Sequence, residues 1–106
     1  MTDSELLALA ARAHGGLEYV DEMGWIHVSQ DGTRGAWWHP LTDDGDALRL
    51  AVKLRIKLSF GASEVSATFI VANYPMRSIE KYCNDPYAAT RRVIVRAAAA
   101  IVKDAP

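Results

Sequence analysis

The sequence predicts an α+β domain with a mainly antiparallel sheet and the element order α-β-β-α-β-β-α. Two observations lead to this prediction: three stretches have the apolar periodicity of amphipathic helices, and two hairpin-like units have the alternation of strands. The length of 106 residues is close to the common size of one domain, so we expect a single domain over residues 1–106. Periodicity alone leaves open whether the helices cover one face of the sheet or both.

The first predicted helix runs from Asp3 to His14. Thr2 and Glu5 have the T-x-x-E spacing of a capping box, in which each side chain bonds the backbone amide of the other residue. An apolar stripe follows, and two glycines at positions 15 and 16 supply a left-handed stop. These signals together predict both ends of the helix.

Residues 17–20 are a candidate short strand that the predicted element order does not count. A predicted hairpin follows, whose strands cover 25–29 and 34–38 with an Asp-Gly turn between them. Trp37 and Trp38 are adjacent in the second strand of this hairpin, so their indoles point to opposite faces of the sheet. We therefore expect one of the two indoles to be partly exposed, unless helices cover both faces.

The second predicted helix begins after Asp43, whose short side chain can accept hydrogen bonds from the free amides of the first turn. Asp44 and Asp46 then lie in that turn, where carboxylates meet the positive end of the helix dipole. We expect the helix to end near Arg55 and a strand to continue to Phe60, because apolar and polar residues alternate there.

The strand predicted at 65–73 is rich in β-prone residues and only partly polar on its second face, which indicates a central strand covered on both sides. Residues 74–84, which include a proline, are predicted to be a loop. Asp85 is then an N-cap, and Pro86 occupies the first helical position, where its missing amide costs nothing. This last helix is expected to end near Lys103.

Three pieces of the chain carry a family resemblance: GWIHVSQDGTRGAWWHP, PLTDDGDALRLAVKL and DPYAATRRVIVRAAAAIV. They resemble the phage ABA sandwich domain of small proteins encoded by tailed phages and prophages. In that family a Trp-rich strand, a D-A-x-x-L helix and an A-x-x-R-A-x-x-A-type final helix recur in this order. The resemblance implies helices on both faces of the sheet, an α/β/α sandwich, and it implies no catalytic residue, cofactor or substrate.

The charge is divided unevenly along the chain. Up to Leu48 there are nine acidic and two basic residues, a net charge of −7, and from Arg49 onwards ten basic and four acidic residues give +6. We expect the two halves to interleave in the fold and to neutralise each other. The alternative is a molecular dipole with one basic side.

Composition narrows the class of protein. No run of about 18 apolar residues is present, so the sequence predicts no membrane span. Cys83 is the single cysteine and cannot form an internal disulfide, which predicts a reduced, cytoplasmic protein, most simply a bacterial or phage one.

The most polar cluster contains His39 with Asp43, Asp44 and Asp46. It has too few alternating acids for a calcium loop and lacks the distal glutamate, and helix capping already accounts for its carboxylates. We therefore predict no metal site. The sequence also has no nucleophile elbow, phosphate loop or dinucleotide-binding motif, so we predict no cofactor and no enzymatic activity.

Exposed aromatic side chains favour protein interfaces. The predicted partner surface consists of four aromatic residues, with core packing as the alternative for each: Trp25, Trp37, Trp38 and Tyr74. The leading functional hypothesis is a small, non-enzymatic phage or prophage accessory protein that binds another protein or forms a homodimer.

The competing hypothesis is a nucleic-acid-associated protein that uses basic helix faces. Two pairs of basic residues have the i,i+4 spacing that could meet phosphates, namely Arg49 with Lys53 and Arg92 with Arg96. Such a stripe is more commonly the solvated side of an amphipathic helix, and the slightly negative net charge weakens the case.

Overall fold

The computed structural model describes residues 2–15, 17–20, 26–28 and 38–103. Within these residues the chain forms three helices and five strands, which confirms the α+β class. In chain order they are α1 (Asp3–His14), β1 (Leu17–Val20), β2 (Ile26–Val28), α2 (Asp44–Leu54), β3 (Lys57–Phe60), β4 (Glu64–Val71), β5 (Tyr74–Lys81) and α3 (Pro86–Lys103).

The ends of the helices follow the predicted caps. The Thr2 hydroxyl accepts a hydrogen bond from the Glu5 amide at 3.2 Å, and α1 ends at Gly15 with φ of 84°. Asp43 and Asp85 each accept a hydrogen bond from the amide three residues further on, at 2.8 and 3.0 Å. Because each cap satisfies amides that the helix leaves unpaired, the local sequence defines where the helices begin.

The prediction of a loop at 74–84 is wrong, because β5 occupies most of this segment. The element order is therefore α-β-β-α-β-β-β-α. Ala72 and Asn73, with φ of 50° and 71°, form a two-residue turn between Val71 and Tyr74. In such a hairpin the residues beside the turn exchange hydrogen bonds and the next pair does not, so the nitrogen of Pro75 points away from β4 at the sheet edge.

The strands form two antiparallel sheets. Strand β4 is the centre of a three-stranded sheet in the order β3-β4-β5, and β1 pairs with β2 separately. The predicted hairpin is confirmed only in its first strand, which overlaps β2. Most of its predicted second strand, at 34–37, lies outside the described residues, and Trp38 follows it in an irregular segment.

The described helices lie on one face of the three-stranded sheet. Helix α3 packs against β4 and β5, while α1 and α2 pack against α3. The residues of β4 on this face are at most 8 % exposed: Val65, Ala67, Phe69 and Val71. On the other face Ile70 is 60 % exposed. The structure therefore shows no helix on that face within the described residues, where the sequence predicted a covered strand and helices on both sides.

None of the described helices combines the length and the apolar character needed to cross a membrane. The radius of gyration of 13.3 Å is the value expected for a folded chain of about 100 residues.

Trp38 and Tyr74, both predicted as partner-surface residues, have opposite environments. Trp38 is 7 % exposed, and its ring meets the His14 imidazole edge to face with centroids 6.2 Å apart. Tyr74 is 72 % exposed. Trp38 therefore belongs to the core, as its alternative interpretation held.

Trp38→Ala should lower the free energy of unfolding by about 3–5 kcal/mol, because it leaves a cavity in the core. Tyr74→Ala is the matched control and should cost less than about 1 kcal/mol, the range of a cross-strand pair. Urea unfolding of both variants measures the difference. Equal losses would mean that the burial of Trp38 contributes little to stability.

Candidate functional site

Two of the predicted phosphate-binding residues lie on α3 and are already paired with carboxylates. Arg92 donates to Asp3 at 3.1 Å and lies 3.8 Å from Glu80, and Arg96 donates to Glu80 at 2.5 Å. These contacts hold α3 to α1 and to β5. Their positive charge is therefore largely compensated within the fold.

The other two basic residues lie on α2. Arg49 donates to Asp46 at 2.8 Å, and the Lys53 ammonium lies 3.4 Å from Nδ1 of His14. A lysine ammonium can only donate, so Nδ1 of the neutral imidazole accepts this hydrogen bond. Of the four predicted phosphate contacts, all have a partner in the fold.

The acidic and basic halves of the chain are joined by specific ion pairs. Arg91 of α3 donates to Asp44 of α2 at 2.6 Å, and Arg92 of α3 reaches Asp3 of α1. Residues from the −7 segment thus face residues from the +6 segment. These pairs support the interleaved arrangement over a molecule with one basic side.

The aspartates that follow Pro40 accept hydrogen bonds from backbone amides and from two arginines. Asp46 is 8 % exposed and accepts from the His39 amide at 2.9 Å through one carboxylate oxygen, and from Arg49 through the other. Asp43 caps the helix by accepting from the Asp46 amide. Among the described residues no group of three or more His, Cys, Asp or Glu side chains is placed to hold a metal ion.

Of the predicted aromatic partner surface, Tyr74 is exposed on β5 and Trp38 is buried. Trp25 and Trp37 lie outside the described residues. The structure therefore does not bring these four residues together as one described surface.

The structure instead shows an apolar groove that is not among the sites predicted from the sequence. It has a volume of about 330 Å³ and opens between α2, β3 and α3. The groove is lined mainly by apolar side chains, with Thr90 and Arg91 as half-buried polar members. Three large side chains around it are 59, 64 and 71 % exposed, respectively: Leu48, Phe60 and Tyr87. We call the surface formed by these three side chains and by Ala47, Leu58 and Ile94 the apolar groove.

An ion pair borders the apolar groove. Arg91 and Asp44, which form the ion pair between α3 and α2, both line it. Arg91 is held further by a hydrogen bond from its Nε to the Leu41 carbonyl at 2.9 Å. The groove therefore combines an apolar lining with a fixed pair of opposite charges.

The sequence did contain a signal for this groove. The apolar residues of α2 form a face wider than one contact with α3 can cover. Leu50 and Ala51 are buried, whereas Leu48 and Val52, one turn apart on the same side of the helix, are 59 and 70 % exposed. An apolar surplus of this kind indicates a second contact surface on the helix.

Comparison with known proteins gives no match for this chain. No protein-family model matches it. No curated protein and no solved structure is significantly similar to it. The resemblance to the phage ABA sandwich domain therefore stays a prediction.

Asp46→Ala should lower the free energy of unfolding by about 1–3 kcal/mol, because it removes the acceptor of the His39 amide and of Arg49. Asp44→Ala removes an exposed carboxylate of the same turn and should cost less than about 1 kcal/mol. Thermal unfolding measures both. Added Ca²⁺, Mg²⁺ or Zn²⁺ should leave the wild-type midpoint unchanged. A cation-dependent rise that Asp46→Ala abolishes would contradict the role of Asp46 as the acceptor of the His39 amide and of Arg49.

His14 predicts a pH dependence of stability. Burial, and then the Lys53 ammonium, hold the pKa of His14 below its ordinary value of 6.5. As the pH falls, the unfolded chain therefore binds the proton at His14 before the folded chain does. The free energy of unfolding should then decrease as the pH is lowered from about 6.5 to the pKa of His14 in the folded protein. His14→Gln should flatten this part of the profile. Urea midpoints measured between about pH 5 and 8 test it, and an unchanged slope would contradict it.

Proposed function

We propose that this protein is a non-enzymatic module that binds polypeptide, with the apolar groove as its contact surface. The observation that carries this proposal is the exposure of Leu48, Phe60 and Tyr87 around one groove. Helix α2 and strand β3, which are consecutive in the chain, contribute Leu48 and Phe60, and the distant helix α3 contributes Tyr87. Single exposed apolar side chains are common on protein surfaces, but these three together form one continuous patch.

The energetics favour a covered groove. Each exposed apolar side chain would gain roughly 1.5–3 kcal/mol on full burial. Phe and Tyr are enriched at the desolvated centres of protein interfaces, where an aromatic anchor fills a pocket. A contiguous apolar patch of this kind therefore favours an interaction site.

The ion pair at the groove supports selectivity. Arg91 is mostly buried, whereas Asp44 is well exposed, so the charge that a partner meets is chiefly the carboxylate. A partner with a hydrogen-bond donor beside an apolar side chain would satisfy both parts of the surface. Such a polar contact fixes orientation, and the apolar contacts supply most of the affinity.

The nucleic-acid hypothesis, which relies on the two basic helix pairs, stays a prediction. Arg49, Arg92 and Arg96 contact carboxylates in the folded chain, so a phosphate would compete with those carboxylates for the guanidinium groups. The apolar groove has no such competitor among the described residues. We therefore place polypeptide binding ahead of phosphate binding.

A role as a phage or prophage accessory protein also stays a prediction, as does a cytoplasmic location. The α/β/α sandwich that the family resemblance implies would require a helical layer over the sheet face that contains Ile70, which is 60 % exposed. We propose the one-sided arrangement as the functional form.

A selection against random peptides displayed on phage tests the proposal. Selected peptides should contain an aromatic or large aliphatic anchor. Leu48→Lys and Tyr87→Asp should each weaken their binding at least about tenfold, because burial of one such side chain is lost. The measurement is fluorescence polarisation with labelled peptides.

Ile70→Lys is the matched control for Leu48→Lys, since Ile70 is equally exposed (60 against 59 %) but lies on the opposite sheet face. It should leave peptide affinity unchanged. Peptides whose binding depends on Ile70 and not on Leu48 would move the contact surface to the open sheet face. Recovery of no binding peptide from protein that is monomeric at the concentration of the selection would contradict the proposal.

A further inference from the structure

Strand β3 borders the apolar groove and has an outer edge that pairs with no described strand. The Gly61 amide donates to the Glu64 carbonyl at 2.8 Å, and β3 pairs with β4 in the register that places Ser59 opposite Ser66. Hydrogen-bonded and non-bonded pairs alternate in antiparallel strands. The bonds of Ser59 are therefore directed to β4, and the backbone groups of Leu58 and Phe60 are directed outwards.

We propose that a second copy of this chain pairs with the outer edge of β3, antiparallel and about a twofold axis at Ser59. Leu58 of each copy then lies opposite Phe60 of the other. Each of these two pairs exchanges two backbone hydrogen bonds, which uses all four outward-directed groups of each strand. Centring the axis on Leu58 or on Phe60 would leave some of these groups without a strand partner.

The side chains fit this register on the helix-covered face. Leu58 and Phe60 lie on the same face as Val65 and Ala67, because they are their direct partners across β3 and β4. Leu58 and Phe60 both line the apolar groove. Pairing therefore places the 64 % exposed Phe60 of one copy against Leu58 of the other and joins the two grooves into one buried surface.

Charges fit the same register on the other face. Lys57 of one copy lies opposite Gly61 of the second copy, and Gly61 is in turn paired with Glu64 in its own hairpin. Because Gly61 has no side chain, Lys57 can reach across it to Glu64, two strand spacings or about 10 Å between backbones. None of the ion pairs among the described residues includes Lys57 or Glu64. The twofold axis makes this contact twice.

This complementarity favours a second copy over an unrelated strand. In the proposed register the two Lys57 side chains are offset by four residues along the strand direction, roughly 13 Å. Their like charges therefore stay apart. An isologous interface of this type also covers the exposed β3 edge of each copy, which is otherwise a site of uncontrolled strand pairing.

The inference rests on the proposed function, since it names the polypeptide that occupies the apolar groove. The test is disulfide cross-linking of the full chain in a Cys83→Ser background, which removes the exposed native thiol. Ser59→Cys should cross-link on mild oxidation, because a non-bonded cross-strand pair has Cα atoms about 4.5 Å apart, within the disulfide range. Lys57→Cys, on the same strand and face, should not cross-link.

Sedimentation over a concentration series gives the second readout. Wild type should form a dimer, and Phe60→Lys should raise the dimer dissociation constant at least about tenfold, whereas Ile70→Lys should leave it unchanged. Equal cross-linking of Lys57→Cys and Ser59→Cys would overturn the register. A strict monomer up to about 1 mM would overturn self-association. If peptides still bound the groove of that monomer, polypeptide binding would stand and only the identity of the occupant would fail.

Discussion

The close approach of helix α3 to its neighbours is the contact on which the rest of the structure depends. Its buried side chains are mostly small or β-branched, at most 6 % exposed: Ala89, Val93, Ile94, Val95, Ala97, Ala98 and Ala99. Alanine lets a neighbouring backbone come near without leaving a void. One helix can therefore contact β4 and β5 on one side and support α1 and α2 on others.

The ion pairs of α3 set the direction of this packing. Arg91 reaches α2, Arg92 reaches α1, and Arg96 reaches β5, so each arginine connects α3 to a different element. Such partly exposed pairs contribute little stability individually. Their more important consequence is orientation, because α2 is held with its N-terminal turn beside α3. Leu48 and Val52 are then left outside the core.

The apolar groove and the open edge of β3 are two consequences of the same short connection. Helix α2 ends at Leu54, Arg55 follows in a left-handed conformation, and β3 begins two residues after Arg55. The helix and the strand therefore both line the apolar groove. An apolar patch next to unpaired backbone groups offers a partner both side-chain burial and a strand register, which together define one mode of association.

The sequence by itself determined the helices, because Thr2, Asp43 and Asp85 cap turns that contain them and need no distant partner. It also determined the alternating strands β3 and β4. It did not predict β5. Pro75 suggests a break in the strand pattern, but it lies at a sheet edge where no amide is needed.

Tertiary structure alone decided that Trp38 is buried and that the helices share one sheet face. It also decided that Leu48, Phe60 and Tyr87 meet, because side-chain burial depends on residues distant in the chain, and periodicity records only which side of its own element a residue occupies.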